Sequence, residues 1–152
     1  MIRIIFLTLL IFFSGCNLKS PAPYVTIKNV AVGKDINITK ADRRLIRRFR
    51  EYWQYRINGD YEHSYLYELP YQKYLIQLEK YKMEHGGKYK AKKIVLRNIR
   101  YDGGCAIIDR IVVIDDKNFT KKDKWCFIKD NWYHKFYQSI VPPKTIEEAQ
   151  YQ

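Results

Sequence analysis

Three kinds of side chain in this chain could do chemistry: a thiol closing an apolar run, a carboxylate set among isoleucines, and a hydroxyl and an imidazole that could join it. Ile4 to Phe13 is apolar apart from Thr8, and the small residues Ser14 and Gly15 lead directly to Cys16. A thiolate is a strong nucleophile, so a thiol in that place suits thioether formation. Asp109 interrupts a face carrying Ile107 and Ile111. Buried there, its pKa would rise and it could act as a general base. At a bulge, or opposite a Lys or Arg of the next strand, it would form a structural pair instead. Tyr55 and His134 are the hydroxyl and the imidazole in question. His134 alternates with Trp132 and Phe136 and reads as a half-buried wall residue, while His63 and His85 fall near helix ends and read as exposed. Cys105 and Cys126 lie on neighbouring predicted strands, and both a disulfide and a pair of buried thiols are open. Three His and three Cys are scattered without the close spacing of a zinc site, so no metal or cofactor is expected.

The chain that must position these groups has 152 residues, enough for one domain with a leader and a tail. Apolar types reach 47%, which argues against intrinsic disorder, and fourteen Tyr lift the aromatic share to 16%. Lys and Arg outnumber Asp and Glu by 28 to 16, and residues 1–15 contribute only Arg3 to that excess. Such a charge attracts polyanions: nucleic acid, anionic lipid heads or acidic polysaccharide. Two basic clusters, Lys88-Tyr89-Lys90-Ala91-Lys92-Lys93 and Lys121-Lys122-Asp123-Lys124, read as a solvated face or a contact for anionic lipid.

Arg3 followed by about ten apolar residues has the form of a signal peptide, because a membrane span needs about twenty. Phe13-Ser14-Gly15-Cys16 resembles the lipobox of bacterial lipoproteins, although Leu is commoner than Phe at its first position. The resemblance implies that the Cys16 thiol receives a diacylglycerol and becomes the new N-terminus, anchored by fatty acyl chains such as palmitate. Asn17, where enterobacterial lipoproteins retained in the inner membrane carry Asp, implies an outer-membrane protein facing the periplasm. An ordinary secretory signal with a chance cysteine is the alternative. The expected organisation is a signal peptide over 1–15, a tether over 16–38 containing Pro21 and Pro23, a domain over 39–137 and a flexible tail over 138–152. An exported chain gives no reason to expect nucleic acid as a partner.

Within the domain, Thr39-Lys40-Ala41-Asp42 predicts a helix start of capping-box type. Leu45, Ile46, Phe49, Trp53 and Ile57 then fall on one helical face, and Asn58-Gly59 ends it. Asp60 caps a short second helix to Glu68. Pro70 opens a third, with Tyr74, Leu75, Leu78 and Tyr81 as its buried stripe and Gly86-Gly87 as its stop. From Ala91 the period becomes two. Strands are predicted over 93–101, 105–114, 124–128 and 132–137, with Asp102-Gly103-Gly104 as a hairpin turn, 115–122 as a loop and 129–131 as a tight turn. An edge strand over 24–27 is also expected. Helices first and a meander second predict an α+β fold: helices packed on a curved, cone-like, four-stranded antiparallel sheet.

The run Tyr52-Trp53-Gln54-Tyr55-Arg56-Ile57-Asn58-Gly59-Asp60-Tyr61-Glu62-His63-Ser64-Tyr65 resembles the opening of the nuclear transport factor 2-like superfamily: an aromatic helix, a Gly-Asp-Tyr turn, then a short helix ending in Pro. Trp125-Cys126-Phe127-Ile128-Lys129-Asp130-Asn131-Trp132-Tyr133 resembles its last hairpin. The resemblance spans about 39–137 and implies a cone with an apolar, ligand-binding pocket, in which members that are enzymes place Asp, His and Tyr; Tyr55, Asp109 and His134 are the candidates here. That superfold hosts enzymes, ligand binders and assembly modules alike. The expected function is therefore a lipid-anchored, non-enzymatic envelope module that binds a partner protein or an apolar small ligand. The alternative is an isomerase or dehydratase using Asp109 with Tyr55 or His134.

Overall fold

The computed structural model describes residues 25–34, 36–37, 41–86 and 90–136. The expectations for the leader, Cys16, Thr39 and the tail lie outside these residues. The element order is β1 (Val30–Val32), α1 (Arg43–Ile57), α2 (Tyr61–Tyr65), α3 (Pro70–Leu75), α4 (Leu78–His85), then β2 (Lys93–Asp102), β3 (Cys105–Ile114), β4 (Lys117–Ile128) and β5 (Asn131–Lys135). One sheet runs β1-β2-β3-β4-β5 and curls into a half-barrel with the helices against it.

Among the described residues the sheet has five strands, not four, and it is mixed rather than antiparallel: Val30–Val32 pairs parallel with Ile94–Leu96. The added strand forms at 30–32, and residues 25–27 of the expected 24–27 are not strand, because a glutamine of α1 fixes the preceding backbone. Gln54 Oε1 accepts the N–H groups of both Lys28 and Asn29 at 2.9 Å, and Asn29 C=O accepts from Ile94 N–H. Val30 then enters the core at 2% exposure.

The three hairpins share one device, a two-residue turn with both φ positive. Gly103 (50°) and Gly104 (81°) make the first without steric cost. Asp115-Asp116 and Lys129-Asp130 adopt the same region with side chains attached, at 45° to 61°. Asp tolerates that region because its short side chain can bond locally. The predicted 115–122 loop is consequently a tight turn followed by strand, and β4 starts at Lys117.

Helix α1 lays Leu45, Phe49, Tyr52 and Trp53 on the sheet, against Ala106, Ile108 and Val112 of β3 and Trp125 of β4. Its N-cap is Asp42, whose carboxylate accepts from Arg44 N–H at 2.8 Å and from Trp132 Nε1–H at 3.0 Å. The helix start is thereby tied to β5. Partial burial would raise the Asp42 pKa, but the bonds from the Arg44 side chain, the Trp132 indole and the Arg44 backbone outweigh it and hold it at about 2. Asp42→Ala is expected to cost about 1 kcal/mol in urea unfolding near neutral pH. Because the folded pKa is depressed, this stabilisation is present above the ordinary 3.8 and is lost as pH falls through about 2. In Asp42→Asn, stability measured across that interval falls less steeply than in the parent chain.

The predicted third helix is two helices. Its backbone turns extended at Ile76 (φ −122°, ψ 106°), so one periodicity cannot run from Tyr74 to Tyr81. Tyr81 is buried, but Tyr74 and Leu75 of the expected buried stripe are 88% and 58% exposed.

Candidate functional site

The two faces of β3 alternate, and the helix side takes Ala106, Ile108, Arg110 and Val112. Asp109 therefore sits on the outer face and not in the interior, which corrects its placement as a pocket base. It meets Asn98 Nδ2 at 3.3 Å and Arg100 at 3.5 Å across the strand, beside the register shift between Leu96 and Asn98. The structural pair is what forms. Its neighbour in sequence, Arg110, is the charged residue that points inward, at 7% exposure.

The inward polar groups converge instead around Glu68 and Asp123. Glu68 follows α2 and is 0% exposed. Its Oε1 accepts from Tyr52 OH at 2.8 Å and Tyr81 OH at 2.9 Å, and its Oε2 lies 2.8 Å from His134 Nδ1. A β-bridge holds the same two residues together: Leu69 N–H donates to His134 C=O, and His134 N–H donates to Tyr67 C=O. On the other side of the imidazole, Asp123 of β4 lies 3.9 Å from His134 Nε2. Asp123 accepts from Trp53 Nε1–H at 2.7 Å and Arg110 Nε–H at 2.8 Å. Arg56 of α1 donates to Tyr81 OH at 3.0 Å, and Ser64 Oγ lies 3.1 Å from that hydroxyl. Two carboxylates and two guanidiniums thus share one interior with an imidazole between the carboxylates.

Burial, and next the charge of Glu68, push the phenols of Tyr52 and Tyr81 well above their ordinary range. For Arg56, burial works against the charged form, yet Tyr52 and Tyr81 outweigh it and its pKa is raised. These groups stay protonated at neutral pH and act as donors. A His between two buried carboxylates could relay a proton, but the space around it is filled. The ring of Tyr52 lies 4.4 Å from His134, Trp125 5.3 Å and Trp53 6.0 Å, centroid to centroid. Two surface hollows of about 220 and 340 Å³ are lined by other residues.

The three expected ligand residues go different ways. His134 is in this interior cluster, 6% exposed rather than half-buried. Tyr55 stacks on His63 at 5.1 Å, and Asp109 lies on the far face of the sheet. Cys105 and Cys126 stand directly opposite in the β3–β4 register and are joined as a disulfide. Among the described residues, no group of three or more His, Cys, Asp or Glu could hold a metal ion.

No protein-family model matches the chain, and no curated protein matches it. Among solved structures, it is similar to a SEC-C motif containing protein from Rhodopseudomonas palustris, at 10% identity over 62% of this chain and 77% of that one, TM-score 0.46. It is also similar to a protein from Campylobacter jejuni described as an NTF2-like transpeptidase, at 13% identity over 57% of this chain and 92% of that one, TM-score 0.43.

Sequence reasoning missed Glu68, Asp123, Arg56 and Arg110. Strand parity carried a signal for two of them. Arg110 keeps step with Ala106, Ile108 and Val112, and Asp123 precedes Trp125 by two. No comparable signal marks Glu68, which lies between helices.

Proposed function

We propose that the chain is an exported lipoprotein, acylated at Cys16, whose nuclear transport factor 2-like cone is a non-enzymatic interaction module of the cell envelope. The observation that carries the non-enzymatic part is the filled interior. Among the described residues, the imidazole that lies between two carboxylates is walled by Tyr52, Trp53 and Trp125, and protein donors meet both carboxylates. A substrate has no room beside the groups that could transform it. The Cys105–Cys126 bridge supports an oxidising compartment, where such bonds persist. Asn17 supports the outer membrane as destination, with the domain facing the periplasm and a partner protein or apolar ligand meeting its surface.

The test is metabolic labelling of the full-length chain with palmitate. Label is expected in the parent and absent from Cys16→Ser, with the parent in the envelope fraction. An unlabelled chain that keeps Met1 and fractionates as soluble protein overturns the reading.

A further inference from the structure

Helix α3 is mounted the wrong way round for a core helix. Its amide points in: Gln72 is buried, donating from Nε2 to Phe136 C=O at 2.7 Å and accepting Phe136 N–H at 3.2 Å. Its apolar residues point out. Tyr71, Tyr74 and Leu75, at i, i+3 and i+4, share one face and are 50%, 88% and 58% exposed. Leu66, also half exposed, is brought near by Lys73, whose Nζ donates to Leu66 C=O at 3.3 Å. Four of the seven exposed large apolar side chains among the described residues lie in this short stretch. Glutamine capture of a backbone amide fixes the orientation, so the outward face is built in rather than a local accident.

The segment that carries this face has cationic but no anionic side chains, and the exposed Glu79 follows it. From Leu69 to Leu78 there is no acidic residue. Lys73 lies within the helix, its ammonium 5.9 Å from the rings of Tyr65 and Tyr133. The hollow of about 340 Å³ beside α3 is lined by Leu69, Tyr71 and Phe127 and by Lys124 and Lys135, which stand opposite each other in the β4–β5 register. Tyrosine with leucine and lysine is the mixture that settles at a bilayer's polar boundary: rings and aliphatic chains enter the headgroup layer and ammonium groups meet lipid phosphates.

We propose that this face docks the domain on an anionic phospholipid surface, with Tyr71, Tyr74, Leu75 and Leu66 entering the headgroup layer and Lys73, Lys124 and Lys135 against the phosphates. The proposal rests on the lipoprotein reading for its setting. Eight residues lie between Cys16 and Val25, so an acylated chain keeps the domain within about 30 Å of the bilayer when fully extended. Contacts too weak to hold a free protein then suffice to orient a tethered one.

The experiment places a reporter on the face in the full-length chain. Tyr74→Trp and, as a control outside the patch, Phe119→Trp are mixed with phosphatidylglycerol vesicles whose acyl chains are brominated. The emission of Tyr74→Trp is expected to shift to the blue and to lose more than half its intensity, with Phe119→Trp unchanged. The native Trp53, Trp125 and Trp132 are buried and common to both variants. The quenching is expected to vanish on phosphatidylcholine vesicles and in 1 M salt, where the screening length falls to about 3 Å. Adding Leu75→Ser and Tyr71→Ser to Tyr74→Trp is expected to abolish it. No quenching at position 74, or equal quenching at both positions, overturns the proposal. A blue shift without vesicles that grows with protein concentration also overturns it and assigns the face to a second copy of the chain. Palmitate labelling of the same preparations separates the two readings: quenching without label removes the anchor and keeps the docking face, and label without quenching does the reverse.

Discussion

Glu68→Leu is expected to lower the unfolding free energy by about 3–5 kcal/mol, a loss measured by urea denaturation and large for a domain of this size. The carboxylate is 0% exposed and is the common acceptor of two phenols and the neighbour of an imidazole. Leucine fills the volume but accepts nothing. Tyr52 and Tyr81 then lose their shared acceptor, and Arg56 loses the anion nearest its partner hydroxyl. Deleting an acceptor costs the desolvation of every donor that faced it, which exceeds the modest net value of the bonds themselves. Glu68→Gln separates charge from shape. It keeps one carbonyl oxygen for the hydroxyls and removes the negative charge, so a cost of about 1–3 kcal/mol is expected. It also has a spectroscopic signature. Burial and the Glu68 charge hold both phenols protonated beyond their ordinary range. The folded pKa is raised, so this contribution to stability is complete below about pH 10 and is lost as pH rises. In Glu68→Gln the late phase of the tyrosinate absorbance titration moves to lower pH. An unchanged late phase would mean that the charge does not reach the rings.

What the chain's letters disclose about this interior, and what they hide, follows from range. Alternation and 3.6-residue spacing are local, and they identify α1, β2 and β3 with boundaries near those observed. Turn chemistry is local too, which is why Gly103-Gly104 was legible. Asp115-Asp116 was not, because a pair of aspartates reaches positive φ only when the flanking strands demand it. The parallel edge strand depends on Gln54, a residue some two dozen positions away that fixes Lys28 and Asn29. Its amide has no signature in its own neighbourhood. The same holds for α3. Apolar spacing at Tyr74 and Leu75 says that a face exists but not which way it points, and Gln72 decides that through Phe136. The candidate site fails hardest at Asp109. One residue of parity separates a carboxylate on the outer face from a guanidinium in the core. The face packed on α1 follows the parity of Ala106, Ile108 and Val112, not that of Ile107 and Ile111, which Asp109 shares.

Asp123→Leu is expected to cost about as much as Glu68→Leu, and the reason exposes what the second carboxylate is for. Asp123 meets Arg110 Nε–H at 2.8 Å and Trp53 Nε1–H at 2.7 Å, and the Arg110 guanidinium lies 4.0 Å from the centre of the Trp53 ring. Losing Asp123 leaves a buried guanidinium without this anion, the costly half of a buried pair, at about 3–5 kcal/mol. Losing both ends is different. Arg110→Met removes the cation that needed the anion, so Arg110→Met with Asp123→Leu is expected to recover about 2–3 kcal/mol relative to the sum of the single losses, as a double-mutant cycle in urea. Recovery cannot be complete, because the Trp53 indole N–H keeps its need for an acceptor. A cycle that closes with no coupling would show the two residues to be independent. The exchange also discriminates between functions. A charge pair that only joins α1 to β3 and β4 is replaceable by well-packed apolar groups, and the double variant should still dock on phosphatidylglycerol vesicles through α3. A pair that orients His134 for chemistry is not replaceable in that way, since the imidazole would lose the carboxylate 3.9 Å from its Nε2. Retained docking by a folded double variant is the expected result if the proposed face of α3 works independently of the interior pair, and lost docking would tie the two together.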